Sequence, residues 1–214
     1  MDATEKEQLE VVQKWWKENG SSLLIGLLLG LSILFGGKAW LGYKETQAMN
    51  ASNIYMQMLG AMSQDQIDKM RDSANQLISN YSGSAYATFA AMALAKVAVS
   101  EGAFGAAETQ LQWAMDNAET PELENMARLR LARVLLQQEK YSETGELLAA
   151  RSDAEAFGFQ YLELEGDLAL SEGETGKAAA AYQQALEAAP PQSPGLSLLT
   201  TKYESVAGAG NTIQ

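Results

Sequence analysis

A long apolar stretch near the N-terminus constrains this chain more than any other feature. The residues from Asn19 to Gly37 carry no formal charge, and Leu, Ile and Phe dominate the middle of the stretch. A helix over the 23 residues from 21 to 43 would be about 34 Å long, enough to cross a hydrocarbon core of ~30 Å. Aromatic residues flank the stretch on both sides, as is typical of membrane interfaces, at Trp15, Trp16, Trp40 and Tyr43. The sequence therefore predicts a transmembrane helix over residues 19–43.

The alternative is that this stretch is a cleaved signal peptide, because Gly37-Lys38-Ala39 loosely fits a small-x-small cleavage site. A permanent anchor is favoured, since the preceding segment is long and contains more acids than bases, and since the apolar run exceeds a usual signal sequence. Slightly more positive charge precedes the helix than follows it, which indicates that residues 1–18 are cytoplasmic. The lysines concerned are Lys6, Lys14 and Lys17 before the helix, and Lys38 and Lys44 after it.

Two weaker patterns accompany the predicted anchor. Leu9, Val12 and Trp16 recur at helical spacing, which suits either an amphipathic helix on the membrane surface or a simple extension of the transmembrane helix. Small residues that would allow close packing of membrane helices lie near one face of the anchor, at Gly26, Gly30 and Gly37. Glycine is common in membrane helices, so these residues alone are a weak indication of a packing face.

The rest of the chain contains a repeat of 34 residues. Its clearest copy, at 159–192, has small residues, a tyrosine and a proline at the spacings of the tetratricopeptide pattern: Gly166, Ala178, Tyr182, Ala185 and Pro190. Gly166 and Ala178 are small where the two helices of a repeat would cross closely. Pro190 would end the second helix, because it lacks an amide hydrogen. Leu162 and Glu165 depart from the pattern.

Two weaker copies precede this repeat, at 88–121 and 125–158, with turns expected near Gly102, Glu139 and Gly173. Thr144 replaces the small Ala of the pattern in the second of these copies. Residues 50–81 indicate a degenerate first helical pair, and 194–206 indicate a short helix that caps the last repeat. We therefore predict an all-α protein: a single N-terminal transmembrane helix, then a tetratricopeptide-like helical solenoid over 44–206 and a flexible tail at 207–214.

Composition narrows the possible functions. The chain contains no Cys and no His, which excludes thiol chemistry, disulfides and histidine-based catalysis or metal binding. Its net charge is −12, and residues 45–214 account for all of it with 22 acids and 10 bases, which argues against nucleic acid binding. Glu163 and Asp167 are the candidate carboxylates for acid–base chemistry, but an exposed helix face explains them better. We expect a binding protein, without a cofactor, rather than an enzyme.

Several specific residues connect the chain to a known family. They are Glu7-Gln8, the run from Trp15 to Gly20, Trp40, Tyr43, Ala51-Ser52, Tyr55, the Leu-Arg-Leu-Ala-Arg run at 129–133, and Leu164-Glu165-Gly166-Asp167. With these residues the chain resembles, over almost its whole length, the YfgM family, the ancillary subunits of the bacterial SecYEG translocon. The resemblance implies an inner-membrane protein with a periplasmic repeat domain. It also implies association with SecYEG and with the membrane-anchored chaperone PpiD, and help in transferring newly translocated chains to periplasmic chaperones.

A binding surface can be located from the repeat register. The first helix of each repeat lines the concave face of such an array, so the candidate groove residues for a partner or an unfolded client are Phe89, Met92, Lys96, Val99, Met126, Leu129, Arg133, Leu136, Gln160, Glu163, Asp167 and Leu170. Methionine suits a surface that accepts varied apolar partners. The plainer interpretation is that the apolar residues belong to the core and the charged ones to a solvated face. The functional alternative is a membrane-tethered scaffold that does not touch client chains.

Overall fold

The computed structural model describes residues 3–151 and 155–209, and over these ranges the chain forms nine α-helices and no strand. The helices are α1 (Ala3–Ser63), α2 (Ile67–Asn80), α3 (Ala85–Ser100), α4 (Phe104–Asp116), α5 (Pro121–Gln137), α6 (Tyr141–Ala149), α7 (Gly158–Ser171), α8 (Thr175–Ala188) and α9 (Leu196–Ala209), with a 3₁₀ turn at Glu155–Phe157. The all-α prediction is confirmed. The chain divides into two compact units, residues 1–50 and 51–214.

The first unit contains the apolar part of α1. From Leu24 onward α1 is long and apolar enough to cross a membrane, and no other helix among the described residues meets that test. Its large side chains are exposed, with Ile33 at 75% and Phe35 at 65%. A helix in the core of a soluble protein would bury such side chains, so this segment agrees with the predicted single span. Since α1 begins at Ala3, the residues before the apolar stretch extend the same helix, as in the second of the two interpretations above.

The second unit is a series of antiparallel helical pairs. The end of α1 packs against α2 and α3 through a core that includes Ala51, Met58, Met70 and Leu77. The pairs α3–α4, α5–α6 and α7–α8 follow, with contacts from each pair to the next. The structure therefore contains a helical pair at the degenerate first repeat predicted at 50–81 and at each of the three copies after it. Together they form the tetratricopeptide-like array that the repeat spacing predicts.

One turn geometry recurs at the end of the first helix of every pair. Asp65, Gly102, Glu139 and Gly173 all have positive φ, between 56° and 82°. In each turn the next residue donates its amide to a carbonyl five positions earlier, as in Ala103 to Ala98 at 2.8 Å and Lys140 to Leu135 at 3.0 Å. The three turns expected near Gly102, Glu139 and Gly173 are thus confirmed. Asp65 adds a fourth, placed 37 residues before Gly102.

Small residues let the two helices approach closely in the last three pairs. Ala107, Thr144 and Ala178 occupy the same position in successive pairs, and all three are fully buried. Thr144 fits because its hydroxyl donates to the carbonyl of Lys140 at 2.9 Å, which satisfies the polar atom inside the crossing. Gly166 lies opposite the buried ring of Tyr182 in the last pair.

The helix α9 caps the last pair. Leu199 and Val206 are buried in the core that α9 shares with α7 and α8. Covering the apolar side of an end repeat is what the capping helix predicted at 194–206 should do. The helix continues to Ala209, three residues into the predicted flexible tail, and the remaining tail residues 210–214 lie outside the described part of the chain.

Candidate binding groove

An apolar groove of about 390 Å³ opens between the first helices of three successive pairs, namely the end of α1, α3 and α5. Its position on the first helices agrees with the concave face predicted from the repeat register. The lining residues are Tyr55, Met58, Leu59, Met62, Phe89, Met92, Ala93, Ala95, Lys96, Val99, Leu111, Arg130, Arg133 and Val134. All of them belong to the second unit.

The groove has a buried floor and an exposed apolar edge. Met58, Met92 and Leu111 are buried and belong to the cores beneath it. Met62 and Val99 form part of the edge and are 39% and 38% exposed. Since methionine side chains are flexible and polarizable, a floor with Met58 and Met92 can adapt to apolar side chains of different shape.

Aromatic rings stand at one side of the groove. The ring of Tyr55 lies 6.0 Å from that of Phe89 and 5.2 Å from that of Tyr86, both in tilted arrangements. Such ring pairs stabilise each other by about 0.5–1.5 kcal/mol beyond the area they bury. They hold α1 and α3 in register at the position where the two helices line the groove.

Three basic side chains line the groove, although the unit that contains it is strongly acidic. Lys96 comes from α3, and Arg130 and Arg133 come from successive turns of α5. The guanidinium of Arg130 donates to the Met126 carbonyl at 3.2 Å and contacts the sulfur of Met92 at 3.1 Å. Burial lowers the pKa of Arg130, and the positive charge of Arg133 lowers it further. Both effects disfavour the charged form of Arg130, so an anion bound beside it would stabilise that form.

The groove residues predicted on α3 and α5 are divided between the surface and the core. Phe89, Met92, Lys96 and Arg133 line the groove. Met126 is half-buried against the core between α3 and α5. The prediction that Leu129 lines the groove is wrong. Leu129 is only 4% exposed and packs in a core cluster with Ala132, Leu148, Tyr161 and Leu164. It faces the next repeat because α5 also packs against α7.

Most of the lining residues that the sequence does not predict lie on α1 and α5, and the others are Ala93, Ala95 and Leu111. Tyr55, Leu59 and Met62 stand 37 residues before Met92, Lys96 and Val99, the same interval that separates the turns at Asp65 and Gly102. The interval of 37 residues is the sequence signal for these three positions. The first pair lacks the tetratricopeptide motif, so the motif alone does not align it with the later repeats. No sequence signal of this kind identifies Arg130, because its place in the groove depends on the rotation of α5 about its own axis.

The predicted residues on α7, Glu163 and Asp167, are held by another helix. Lys202 of α9 donates to Glu163 at 2.6 Å and to Asp167 at 2.7 Å, and the hydroxyl of Tyr182 donates to Asp167 at 2.8 Å. We call these four residues the α7–α9 clasp. Burial raises the pKa of Tyr182 strongly, and the hydrogen bond to Asp167 raises it further, so the phenol stays protonated and keeps donating. The clasp gives the paired carboxylates a structural explanation in place of acid–base chemistry.

Two other predicted features involve the described residues. A Cβ atom added at Gly26, Gly30 or Gly37 would meet no other atom of the described residues within 4 Å. The packing role of these glycines stays a prediction. Over 3–151 and 155–209 no group of three or more carboxylates is arranged to hold a metal ion.

Comparison with known proteins agrees with the repeat architecture and with the resemblance noted from the sequence. A family model described as "Tetratricopeptide repeat-like domain" matches residues 13–208. A protein of Haemophilus influenzae named "Ancillary SecYEG translocon subunit" is 28% identical over 85% of this chain and 88% of its own length. Proteins of the same name from Escherichia coli and Neisseria gonorrhoeae are 27% and 28% identical, over 84% and 94% of this chain and 85% and 97% of their own lengths. The chain therefore belongs to the tetratricopeptide repeat-like domain family, and its resemblance to the ancillary SecYEG translocon subunits is confirmed.

Proposed function

We propose that this protein is a membrane-anchored binding protein of the Sec translocon, and that its groove binds apolar segments of other polypeptides. The observation that supports the proposal most directly is the groove itself. It is apolar, contains methionines, and is built from the first helices of three repeats. The relatives are named as subunits of the SecYEG translocon, which supports the translocon as the assembly that this protein joins. A helical array with a groove of this kind suits binding rather than catalysis.

The proposal assigns a compartment to each part of the chain. Residues 1–18 are cytoplasmic, 19–43 span the inner membrane, and the chain from residue 44 onward is periplasmic. The lysine bias around the span supports this orientation. Protease added to spheroplasts is expected to digest the repeat domain. A domain that stays intact until the membrane is lysed would contradict the orientation.

The proposed partners are SecYEG, the chaperone PpiD and newly translocated chains, which the protein would help pass to periplasmic chaperones. In-cell photocrosslinking from the exposed groove residues Met62 and Val99 tests the contact with clients. Gln183, an exposed residue of α8, is the matched control position. We expect crosslinks to secreted chains from the groove positions and not from Gln183. Crosslinks to PpiD or SecYEG alone would favour a scaffold that does not touch clients.

The anchor is proposed to pack against a partner helix through Gly26 and Gly30. Replacing both by Leu should reduce copurification with SecYEG or PpiD, because the larger side chains prevent close approach of the two helices. Gly42→Leu is the control, since Gly42 lies on the opposite face of α1 and is equally open. Unchanged recovery of partners by the double variant, with normal membrane insertion, would remove the packing role.

A further inference from the structure

We propose that the groove selects apolar segments that also contain acidic side chains. The occupant would be a stretch of another polypeptide in which residues such as Leu, Phe or Met alternate with Asp or Glu. This inference rests on the proposed binding function of the groove and adds the chemical class of its ligand. Three cationic side chains on an apolar groove of an acidic domain point to that class.

The cations of the groove lack the close carboxylate partners that most other basic residues of the described repeat domain have. Across the described residues, neither Lys96 nor Arg130 forms an ion pair with a carboxylate, and Arg133 reaches Glu163 only at 4.0 Å. By contrast, Lys140 lies 2.6 Å from Glu108, and Lys202 lies 2.6 Å from Glu163. The domain has an excess of carboxylates, so leaving these cations without close anions is a specific arrangement of side chains.

Acidic side chains suit this arrangement better than a single chain terminus does. A free C-terminus supplies one negative charge, whereas the groove presents three positive charges on two helices. Arginine binds carboxylates through paired hydrogen bonds, and Arg130 and Arg133 lie about one turn apart on α5. A segment with several Asp or Glu residues can therefore satisfy Lys96 on one side and the arginines on the other.

The apolar floor accounts for the other half of the ligand. Met58 and Met92 are buried lining residues, and Met62 and Val99 form part of the exposed apolar edge. A segment that binds here directs its apolar side chains toward the methionines and its carboxylates toward Lys96, Arg130 and Arg133. Apolar contact supplies most of the affinity, and the charges supply selection between segments of similar hydrophobicity.

Synthetic peptides test the selection directly on the full-length chain in uncharged detergent micelles. The probe is a fluorescein-labelled peptide in which Leu and Phe alternate with Asp, compared by anisotropy with matched Asn and Lys peptides, all amidated at the C-terminus. We expect the Asp peptide to bind about tenfold more tightly than the Asn peptide, and the Lys peptide to bind most weakly. Salt should weaken only the Asp peptide. Equal affinity for the Asp and Asn peptides would overturn the inference. So would an Asn peptide with a free C-terminus that matches the Asp peptide.

Charge variants assign the selection to the groove. Lys96→Gln with Arg133→Gln should remove about tenfold of the affinity for the Asp peptide and leave the Asn peptide unchanged. Lys69→Gln with Lys177→Gln makes the same change in net charge at two exposed sites outside the groove, and should change neither. Lys96→Glu with Arg133→Glu should reverse the preference in favour of the Lys peptide. If the variant with both Gln substitutions in the groove keeps full selectivity, the inference is wrong.

A third pair of substitutions separates this inference from the proposed function. Met62→Gln with Val99→Gln makes the apolar edge polar, and should weaken the Asp and Asn peptides alike. One outcome is that this variant binds both peptides more weakly, while the unmodified protein binds the Asp and Asn peptides with equal affinity. The groove then binds apolar segments without selecting their charge, and only the inference fails. If the Met62 and Val99 variant binds every peptide as the unmodified protein does, the binding function proposed for the groove fails with it.

Discussion

The crossing of α7 and α8 leaves no space for a side chain at Gly166. A Cβ atom there would lie 2.5 Å from two carbon atoms of the Tyr182 ring, whereas ordinary contacts begin near 3.4 Å. The ring would have to move by about 1 Å in a close-packed interior. Tyr182 is fully buried, and its hydroxyl is fixed by the hydrogen bond to Asp167. Gly166→Ala should therefore destabilise the protein, even though alanine is the better helix former.

The size of the effect follows from three contributions. Overpacking of this kind costs about 1–3 kcal/mol, and disturbing the Tyr182–Asp167 hydrogen bond costs about 1 kcal/mol more. Helix propensity offsets roughly 1 kcal/mol of this in favour of alanine. We expect the free energy of unfolding to fall by about 1–3 kcal/mol. In a domain of this size, that corresponds to a decrease in Tm of about 2–12 °C.

Urea unfolding of the full chain in detergent micelles, followed by far-ultraviolet circular dichroism, measures the change. Gly145→Ala is the matched control, because a Cβ at this helical glycine would meet only Leu168 at an ordinary 3.6 Å. It should leave stability unchanged or raise it by up to about 1 kcal/mol. A Tyr182→Leu background should reduce the cost of Gly166→Ala, since the clash is with the ring. If Gly166→Ala is as stable as the unmodified protein, the crossing is looser than the structure indicates.

Three further predictions concern the turns and the α7–α9 clasp. Glu139 has φ of 60°, where its equivalents are Gly102 and Gly173, so Glu139→Gly should raise the free energy of unfolding in urea by about 1 kcal/mol. Burial raises the pKa of Tyr182 above its ordinary 10.0, so the native state keeps a proton that the unfolded state loses. Its contribution to stability should be complete below pH 10 and decline as the pH rises further, and Tm measured across that range should decline less steeply in Tyr182→Phe. Lys202→Met leaves two carboxylates without their cation and should destabilise the packing of α9 by on the order of 1–3 kcal/mol, seen as faster hydrogen exchange in α9 than in the exposed control Lys177→Met.

Repeat spacing predicted the fold well because a close crossing and a left-handed turn each restrict the residue type. A buried crossing accepts Ala178 because it is small, and Thr144 because its hydroxyl is bonded within its own helix. The repeat spacing predicts both positions. The turn at Asp65 is not predicted, because the first pair lacks the tetratricopeptide motif that locates the equivalent turn at Glu139, which also has no glycine. The end of α9 was also predicted too early, since the two glycines after Ala207 favour disorder only where no helix packing opposes it.

The candidate site was predicted less completely, because the register tells which helix lines the concave face but not how far that helix is rotated. Phe89, Met92 and Lys96 of α3 were placed on the groove, and they line it. On α5 the same register selected Leu129, which is buried, and did not select Arg130, which lines the groove. The contact of α5 with α7 of the next repeat accompanies this rotation, and a contact between residues far apart in the chain leaves no local pattern in the sequence.

The two ends of the array differ in how they satisfy their charges, and this difference determines where binding can occur. At the C-terminal end Lys202 comes from the capping helix and forms an ion pair with both Glu163 and Asp167, so these side chains of α7 are used for internal contacts. At the N-terminal end no helix supplies a comparable partner for Lys96 among the described residues, and the apolar floor beside it remains open. A surface whose charges are already paired gains little from a ligand, because the ligand must first displace an internal contact. In the groove between α1, α3 and α5 a ligand would displace at most the long Arg133–Glu163 contact, which is why we assign recognition to it rather than to the face of α7.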